Sequence, residues 1–280
     1  MKVINMKHTI ILIIVSIISF VAYSQEEEQS TEGGQSRESA AVDPTAAQWS
    51  YQFAYEGFYN YKDDQLEDGS TRPPGDKGFF QFRLVAPIPK TDKIPLTMLP
   101  RLTFRVKQNS AGDWGIGGSD LFILGIINQW ASGRWGIGPQ INFPSQEGFG
   151  NRNWGLGFAA AVTQRAIDDK LFLALLFQQA WTKVNKETQA TSLVINPVIV
   201  YQLGKGWYIG NGDFVIRYNW QNGGWFFPLG LRLGKAWIRP NNTINAYVEW
   251  AKSAAWPGWE GPVASHSLRI NFQFQIPVKF

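Results

Sequence analysis

The sequence predicts an all-β fold, a transmembrane antiparallel β-barrel of about twelve strands with short turns at one end and longer loops at the other. Three observations predict it. Segments of about ten residues alternate apolar and polar side chains, the connections between them alternate in length, and Trp and Tyr gather at segment ends. Composition agrees. Of 280 residues only 17% are charged, below the roughly 25% of soluble domains, while 13 are Trp and 28 are Gly. No stretch after Gln48 reaches the roughly 18 apolar residues of a membrane helix.

The first segment reads as an address. Lys2 and Lys7 precede an apolar run from Ile10 to Ala22, and Ala22-Tyr23-Ser24 forms a small-x-small cleavage pattern. Residues 1–24 are therefore expected to be a cleaved signal peptide, with Met1 or Met6 as the start. About 13 apolar residues are too few for an anchor across a hydrocarbon core of about 30 Å. Loss of Lys2 and Lys7 lowers the formal charge from +4 to +2, leaving 24 basic against 22 acidic residues, so no nucleic-acid partner is expected. Residues 25–47 carry Glu26, Glu27, Glu28, Glu32 and Glu38 among Gly, Ser and Gln. Such a composition buries too little apolar surface to offset its ordering entropy, which predicts a disordered acidic periplasmic tail. A tether or partner-binding arm is the alternative.

Residues 48–280 are expected to form the barrel. Strands are predicted at 48–61, 78–88, 97–107, 118–130, 134–144, 154–164, 171–183, 191–203, 207–219, 225–237, 243–252 and 265–280. The last is the clearest: His266, Leu268, Ile270, Phe272, Phe274, Ile276, Val278 and Phe280 share one face, and Ser265, Ser267, Arg269, Asn271, Gln273 and Gln275 the other. Side chains alternate strictly along a strand, so one face is apolar and the other wet. Turn-like links at 131–133, 204–206 and 239–242 alternate with longer ones at 62–77, 108–117, 145–153 and 253–264, as expected of periplasmic and extracellular ends. Trp49, Trp130, Trp135 and Trp207 then fall at one end and Trp114, Trp154, Trp181 and Trp250 at the other, the places of two aromatic girdles in outer-membrane lipid.

Several runs resemble a known group. They are FFQFRLVAPIP from Phe79, GIGGSDLFILGIINQ from Gly115, WGIGPQINFP from Trp135 and INPVIVYQLGKGWYIGNGDFVIRYNW from Ile195. Together they resemble the bacterial outer-membrane barrel family named for the meta-pathway of phenol degradation, whose members are often labelled neuromedin U or transporter. The terminal run from Asn271 to Phe280 looks like the signal read by the barrel-assembly machinery, with Phe272, Phe274, Ile276, Val278 and Phe280 as its apolar positions. The resemblance covers roughly 79–280. It implies transport of a small solute, apolar or aromatic by the family name, and implies no catalytic residue. Residues 48–61 match less well; they read as a first strand or as a segment folded into the lumen.

Alternation places Glu56, Arg83, Arg101, Arg105, Asp120, Asp213, Arg217, Arg232, Glu249 and Arg269 inward. Twelve strands lie between the side-chain-filled eight-stranded barrel and the open channel of sixteen strands, so a filled, narrow or open lumen all fit. One reading is a narrow pore whose Arg excess favours anionic or polar solutes. The other is an Arg–carboxylate network that fills and braces the lumen, in which Arg269 lies between Glu249 and Glu56. Gly136, Gly138, Gly155 and Gly157 also face inward, as sites of strand bending or as room for a lumenal segment. No metal or cofactor is expected: Cys is absent and the two His, His8 and His266, make no cluster. An acyl hydrolase would need an oriented base, yet His266 points away from its neighbours Ser265 and Ser267. The function expected is an outer-membrane channel for small molecules. A structural or adhesive barrel with a plugged lumen is the alternative, and an acyl hydrolase ranks third.

Overall fold

A computed structural model describes residues 35–184 and 187–278. The expected signal peptide, the start of the acidic tail and Phe280 lie outside the described residues. The wall consists of twelve antiparallel strands: β1 Gln48–Tyr61, β2 Gly78–Val85, β3 Met98–Gln108, β4 Asp120–Trp130, β5 Gly133–Asn142, β6 Gly155–Ala166, β7 Leu171–Val184, β8 Leu193–Gly204, β9, β10 Trp225–Ile238, β11 Thr243–Ala255 and β12 Ala264–Pro277. Strand β9 is in two pieces, Trp207–Gly210 and Ile216–Tyr218. Each strand pairs with its sequence neighbours, and β1 closes the ring on β12 from Gln48↔Pro277 to Tyr61↔Ala264. Closure leaves no unpaired edge, the condition for spanning lipid with strands. Residues 48–61 are thus the first wall strand, not a lumenal segment.

The burial pattern follows the pleat. On β12, Leu268, Ile270, Phe272 and Ile276 are exposed outward while Ser267, Arg269, Asn271 and Gln275 are buried inward. The links 131–132, 205–206 and 239–242 form the short-turn end, where 86–97 is the one long excursion, tied back by the Ile88↔Met98 bridge. Two short hairpin pieces, Trp114–Ile116 against β3 and Glu187–Ala190 against β7, extend the wall into the long-loop end.

Two departures from the expected strands matter for function. The strand expected over 207–219 breaks after Gly210. Asn211 patches the break: its side chain accepts from the Ile199 amide at 2.9 Å and donates to the Pro197 carbonyl at 2.8 Å. Gly212 then takes φ +94°, and a Cβ there would lie 2.7 Å from the Glu249 carboxylate. Only glycine admits both the left-handed backbone and that approach. The chain turns into the lumen and carries Asp213 with it. The facing positions Pro197 and Pro228 lack an N–H to offer, so the missing pairs orphan no donor there.

The second departure is a correction. Residues 35–47, expected as part of a solvated tail, are ordered inside the barrel. Helix α1, Arg37–Val42, is capped by Ser36, whose hydroxyl accepts from the Ser39 amide. Gln35, Ser39, Ala40, Ala41 and Thr45 are all buried. Composition misled because the stabilisation is polar and supplied by the wall rather than by apolar burial within the segment.

The inward glycines serve bending. A Cβ at Gly138 would lie 1.7 Å from the Ile123 carbonyl oxygen, and one at Gly157 1.9 Å from that of Gln179. Adjacent strands approach there more closely than any side chain permits.

Candidate functional site

The lumen has two halves. At the short-turn end it is filled by α1 and its flanks. The helix's last carbonyls have no partner within the helix, and the wall supplies them: Gln48 donates to the Ala40 oxygen at 2.8 Å, while Asn245 and Gln275 each donate to the Ala41 oxygen at 3.0 Å. Arg37 donates to the Asn242 carbonyl at 2.9 Å and the Thr243 hydroxyl at 3.1 Å, and also to the Arg239 carbonyl. From the opposite wall, Arg134 donates to the Gln35 side chain at 2.8 Å, to Asp43 at 3.3 Å and to the Thr45 carbonyl at 3.3 Å. Arg165 holds Asp169, whose carboxylate accepts from the Ser36 amide at 3.1 Å. Apolar contacts flank the polar ones. Ala47 packs on the cluster of Leu99, Phe122, Leu124, Ala159, Ala161 and Leu176, and Val42 on that of Phe172, Val198, Val200, Tyr208 and Tyr247.

Above the plug lies a charged layer built on the inward turn of β9. Asp213 accepts from Asn196 at 3.0 Å and meets Arg83 and Arg269 at 3.4 Å each. Its amide donates to Glu249 at 2.7 Å, and Glu249 pairs with Arg232 at 3.1 Å. Arg269 stands opposite both Glu56 and Glu249 in register; it pairs with Glu56 at 3.0 Å and leaves Glu249 to Arg232. Arg105 meets Asp120 at 3.5 Å. Arg101 is buried over the Phe122 ring, 4.1 Å from its centroid. Arg217 is exposed at the long-loop end.

Above this layer opens a vestibule of about 870 Å³. Arg83, Arg101, Arg105, Arg217, Arg269, Asp120, Asp213 and Glu56 line it; Arg232 and Glu249 do not reach it. Two loops lean over its mouth. Arg72 in the 62–77 loop clasps Asp64 at 2.7 and 3.0 Å and donates to the carbonyls of Trp259 and Gly261 in the next loop. The Arg72 hydrogen bonds hold the Asp64 carboxyl at about 2. A depressed carboxyl gives a contact that is complete above its ordinary value near 4 and lost as pH falls through about 2. Pepsin at pH 3 should therefore leave the two loops intact, and below pH 2 cut them quickly. Arg72→Ala should be cut at both pH values.

The sequence reading missed Arg134, Arg165, Asp43 and Asp169, which anchor the plug. A signal existed: Arg134 shares strand parity with Gly136 and Gly138, and Arg165 with Gly155 and Gly157. His266 stacks on Tyr59 on the outer face, ring centroids 5.4 Å apart, while Ser267 is buried inward. Among the described residues no group of three or more His, Asp or Glu side chains is placed to hold a metal.

A closed twelve-stranded antiparallel barrel with an apolar outside and a polar inside has the fold of an outer-membrane β-barrel. An outer-membrane channel of Pseudomonas putida F1 is similar over 84% of this chain and 100% of its own, at TM-score 0.60 and 14% identity. Outer membrane phospholipase A from Escherichia coli covers 82% of this chain and 97% of its own at TM-score 0.42 and 12% identity. A FadL homologue from Pseudomonas aeruginosa covers 82% and 89% at TM-score 0.36 and 10% identity. The first likeness establishes the fold; the other two scores are too low to argue from. No family model and no curated protein matches the chain.

Proposed function

We propose that this protein is an outer-membrane channel for small solutes, closed at rest, in which residues 35–47 are the stopper and the vestibule is an Arg-biased entrance. One observation carries the reading: a vestibule of about 870 Å³ ends on a plug held almost entirely by polar contacts. Interlocking apolar side chains around the whole segment would oppose its release, because each would be exposed to water on leaving. Here that packing is confined to the plug's flanks.

The membrane setting has support of its own. Outward Leu229, Leu231 and Leu233 lie on β10 between Trp225 and Trp237, and Lys235 reaches over the Trp207 ring at 4.9 Å, as a lysine stem does at headgroup level. The signal-like residues 1–24, the terminal apolar run through Phe280 and the resemblance to the phenol meta-pathway group favour export and barrel assembly of a transporter.

Of the lumenal arginines, Arg101 and Arg217 have no carboxylate of the described residues within ion-pair distance, which gives the entrance a positive excess. Once the stopper is removed, anions should permeate preferentially. Replacing Arg101 and Arg105 together by Ala should reduce that preference or abolish it, as read from the reversal potential under a salt gradient. Unchanged selectivity would rule out the entrance arginines as its source.

A further inference from the structure

The inner faces of β2 and β3 carry a patch that the channel reading leaves unused. Arg83 stands opposite Thr103, Val85 opposite Arg101, and Gln81 opposite Arg105. Inward positions two apart on a strand are about 7 Å from each other, and directly opposed ones about 5 Å. Gln81, Arg83 and Arg101 therefore form one contiguous surface on the vestibule side of the charged layer, with Thr103 buried behind it.

The polar atoms of that surface are unusual. Gln81 Nε2, Arg83 Nε, Arg101 Nε and Thr103 Oγ1 are all buried with no hydrogen-bond partner. Buried donors are paired almost without exception in folded proteins, because an unpaired one forfeits its hydration. Three of them belong to side chains that line the vestibule, Gln81, Arg83 and Arg101, and mark a place where something else accepts.

Arg101 is the centre. It is 8% exposed, lines the vestibule, and has no hydrogen bond or ion pair to any described residue; its one contact of note is the ring of Phe122 beneath it. Its neighbours are provided for. Arg83 has Gln52 at 3.0 Å and Asp213 at 3.4 Å, and Arg105 has Gln81 Oε1 at 3.1 Å and Asp120 at 3.5 Å. Asp120 Oδ2, in the same cross-strand row as Thr103, is the unpartnered acceptor nearby. Asp213 is shared between Arg83 and Arg269, and Asp120 answers Arg105, so Arg101 is the guanidinium of this patch left without a carboxylate.

We infer that this patch is a binding site for the carboxylate of a small aromatic monocarboxylic acid. One carboxylate would pair the one guanidinium of the patch that has no counter-charge. A carboxylate presents two coplanar oxygens to the guanidinium fork, the match that makes Arg–carboxylate pairs bidentate, and the Gln81 side chain beside it lines the same cavity. The ring follows from the walls: Phe58, Phe79, Phe143 and Phe149 line the same cavity, and aromatic faces accept a planar apolar body at offset or edge geometry. The inference rests on the channel reading, since it names what the entrance takes in.

The test is isothermal titration of the refolded mature protein in detergent micelles with sodium benzoate. Benzamide, inorganic phosphate and sodium chloride are the comparators. Saturable benzoate binding is expected, at least tenfold tighter than benzamide and not displaced by equimolar phosphate or chloride. Arg101→Gln should weaken it at least tenfold, with heat-modifiable migration reporting that the barrel is intact. Should Arg101→Gln fail to fold, Arg101→Lys keeps the charge but not the fork and should still weaken benzoate. Equal affinity for benzamide, displacement by phosphate or chloride, or benzoate binding indifferent to Arg101 would overturn the site. Conductance by a chain lacking its stopper, without benzoate binding, would sink this site and spare the channel. Benzoate binding without conductance would support the site and sink the channel.

Discussion

Asp213→Ala should lower the unfolding free energy of the barrel by about 3–5 kcal/mol, the range for removing one member of a buried, hydrogen-bonded ion pair. Asp213 is a junction of three strands. It receives Asn196 from β8 at 3.0 Å, Arg83 from β2 and Arg269 from β12. The substitution leaves Arg83 with only the Gln52 amide and Arg269 with only Glu56. It also removes the reason for β9 to enter the lumen, because the inward turn is held by Asp213 at its tip and by the Asp213 amide on Glu249. Denaturant titration of the protein in lipid vesicles gives the value. Asp213→Asn, which keeps the shape and a hydrogen-bonding oxygen, should lose less. An unchanged midpoint for Asp213→Ala would mean that the charged layer is hydrated and loosely held.

The second large effect is expected at Arg134. One guanidinium donates to Gln35, Asp43 and Thr45, so it holds both ends of the plug from the β5 wall. Charge-assisted bonds are roughly twice as strong as neutral ones. After Arg134→Ala, Asp43 keeps only Gln35 and Thr45, partners within the plug itself. The barrel should stay folded, since its strand pairs are untouched, while residues 35–47 leave the lumen and become accessible to protease. Arg134→Lys, which preserves charge without the fork, should fall between. A plug still protected in Arg134→Ala would shift the anchoring to Arg37 and to Asn245 and Gln275.

The wall was legible in the sequence because its cause is local. Alternation of side chains with period two is a property of each strand, so Leu268 to Ile276 and Ser267 to Gln275 separate without knowledge of any neighbour. Even the opposition of Arg269 to Glu56 and Glu249 follows once strand order is known, because hairpins and closure set the register. The plug and the β9 break were not legible for the opposite reason. Gln35 to Ala47 has only small apolar side chains and one Val, and its order comes largely from Gln48, Arg134, Asn245 and Gln275, contributed by strands far apart in the chain. The break depends on a contact between Gly212 and Glu249 that no local pattern encodes.

The same division explains the site. Inward parity identified Arg83, Arg101 and Arg105 as lumenal, but which of them lacks a carboxylate depends on where Asp213 and Asp120 fall in space. Arg101 is set apart by the inward turn of β9, which brings Asp213 to Arg83 and Arg269 and not to it.

Whether a polar stopper closes an anion-favouring conduit is decided by bilayer conductance. Refolded mature chain and chain lacking residues 25–47 would be compared in planar lipid bilayers under a salt gradient. The account predicts little or no steady conductance for the first, and discrete channels with anion preference for the second, with both barrels heat-modifiable. Equal conductance from the two, or a shortened barrel that stays folded and shut, would contradict it.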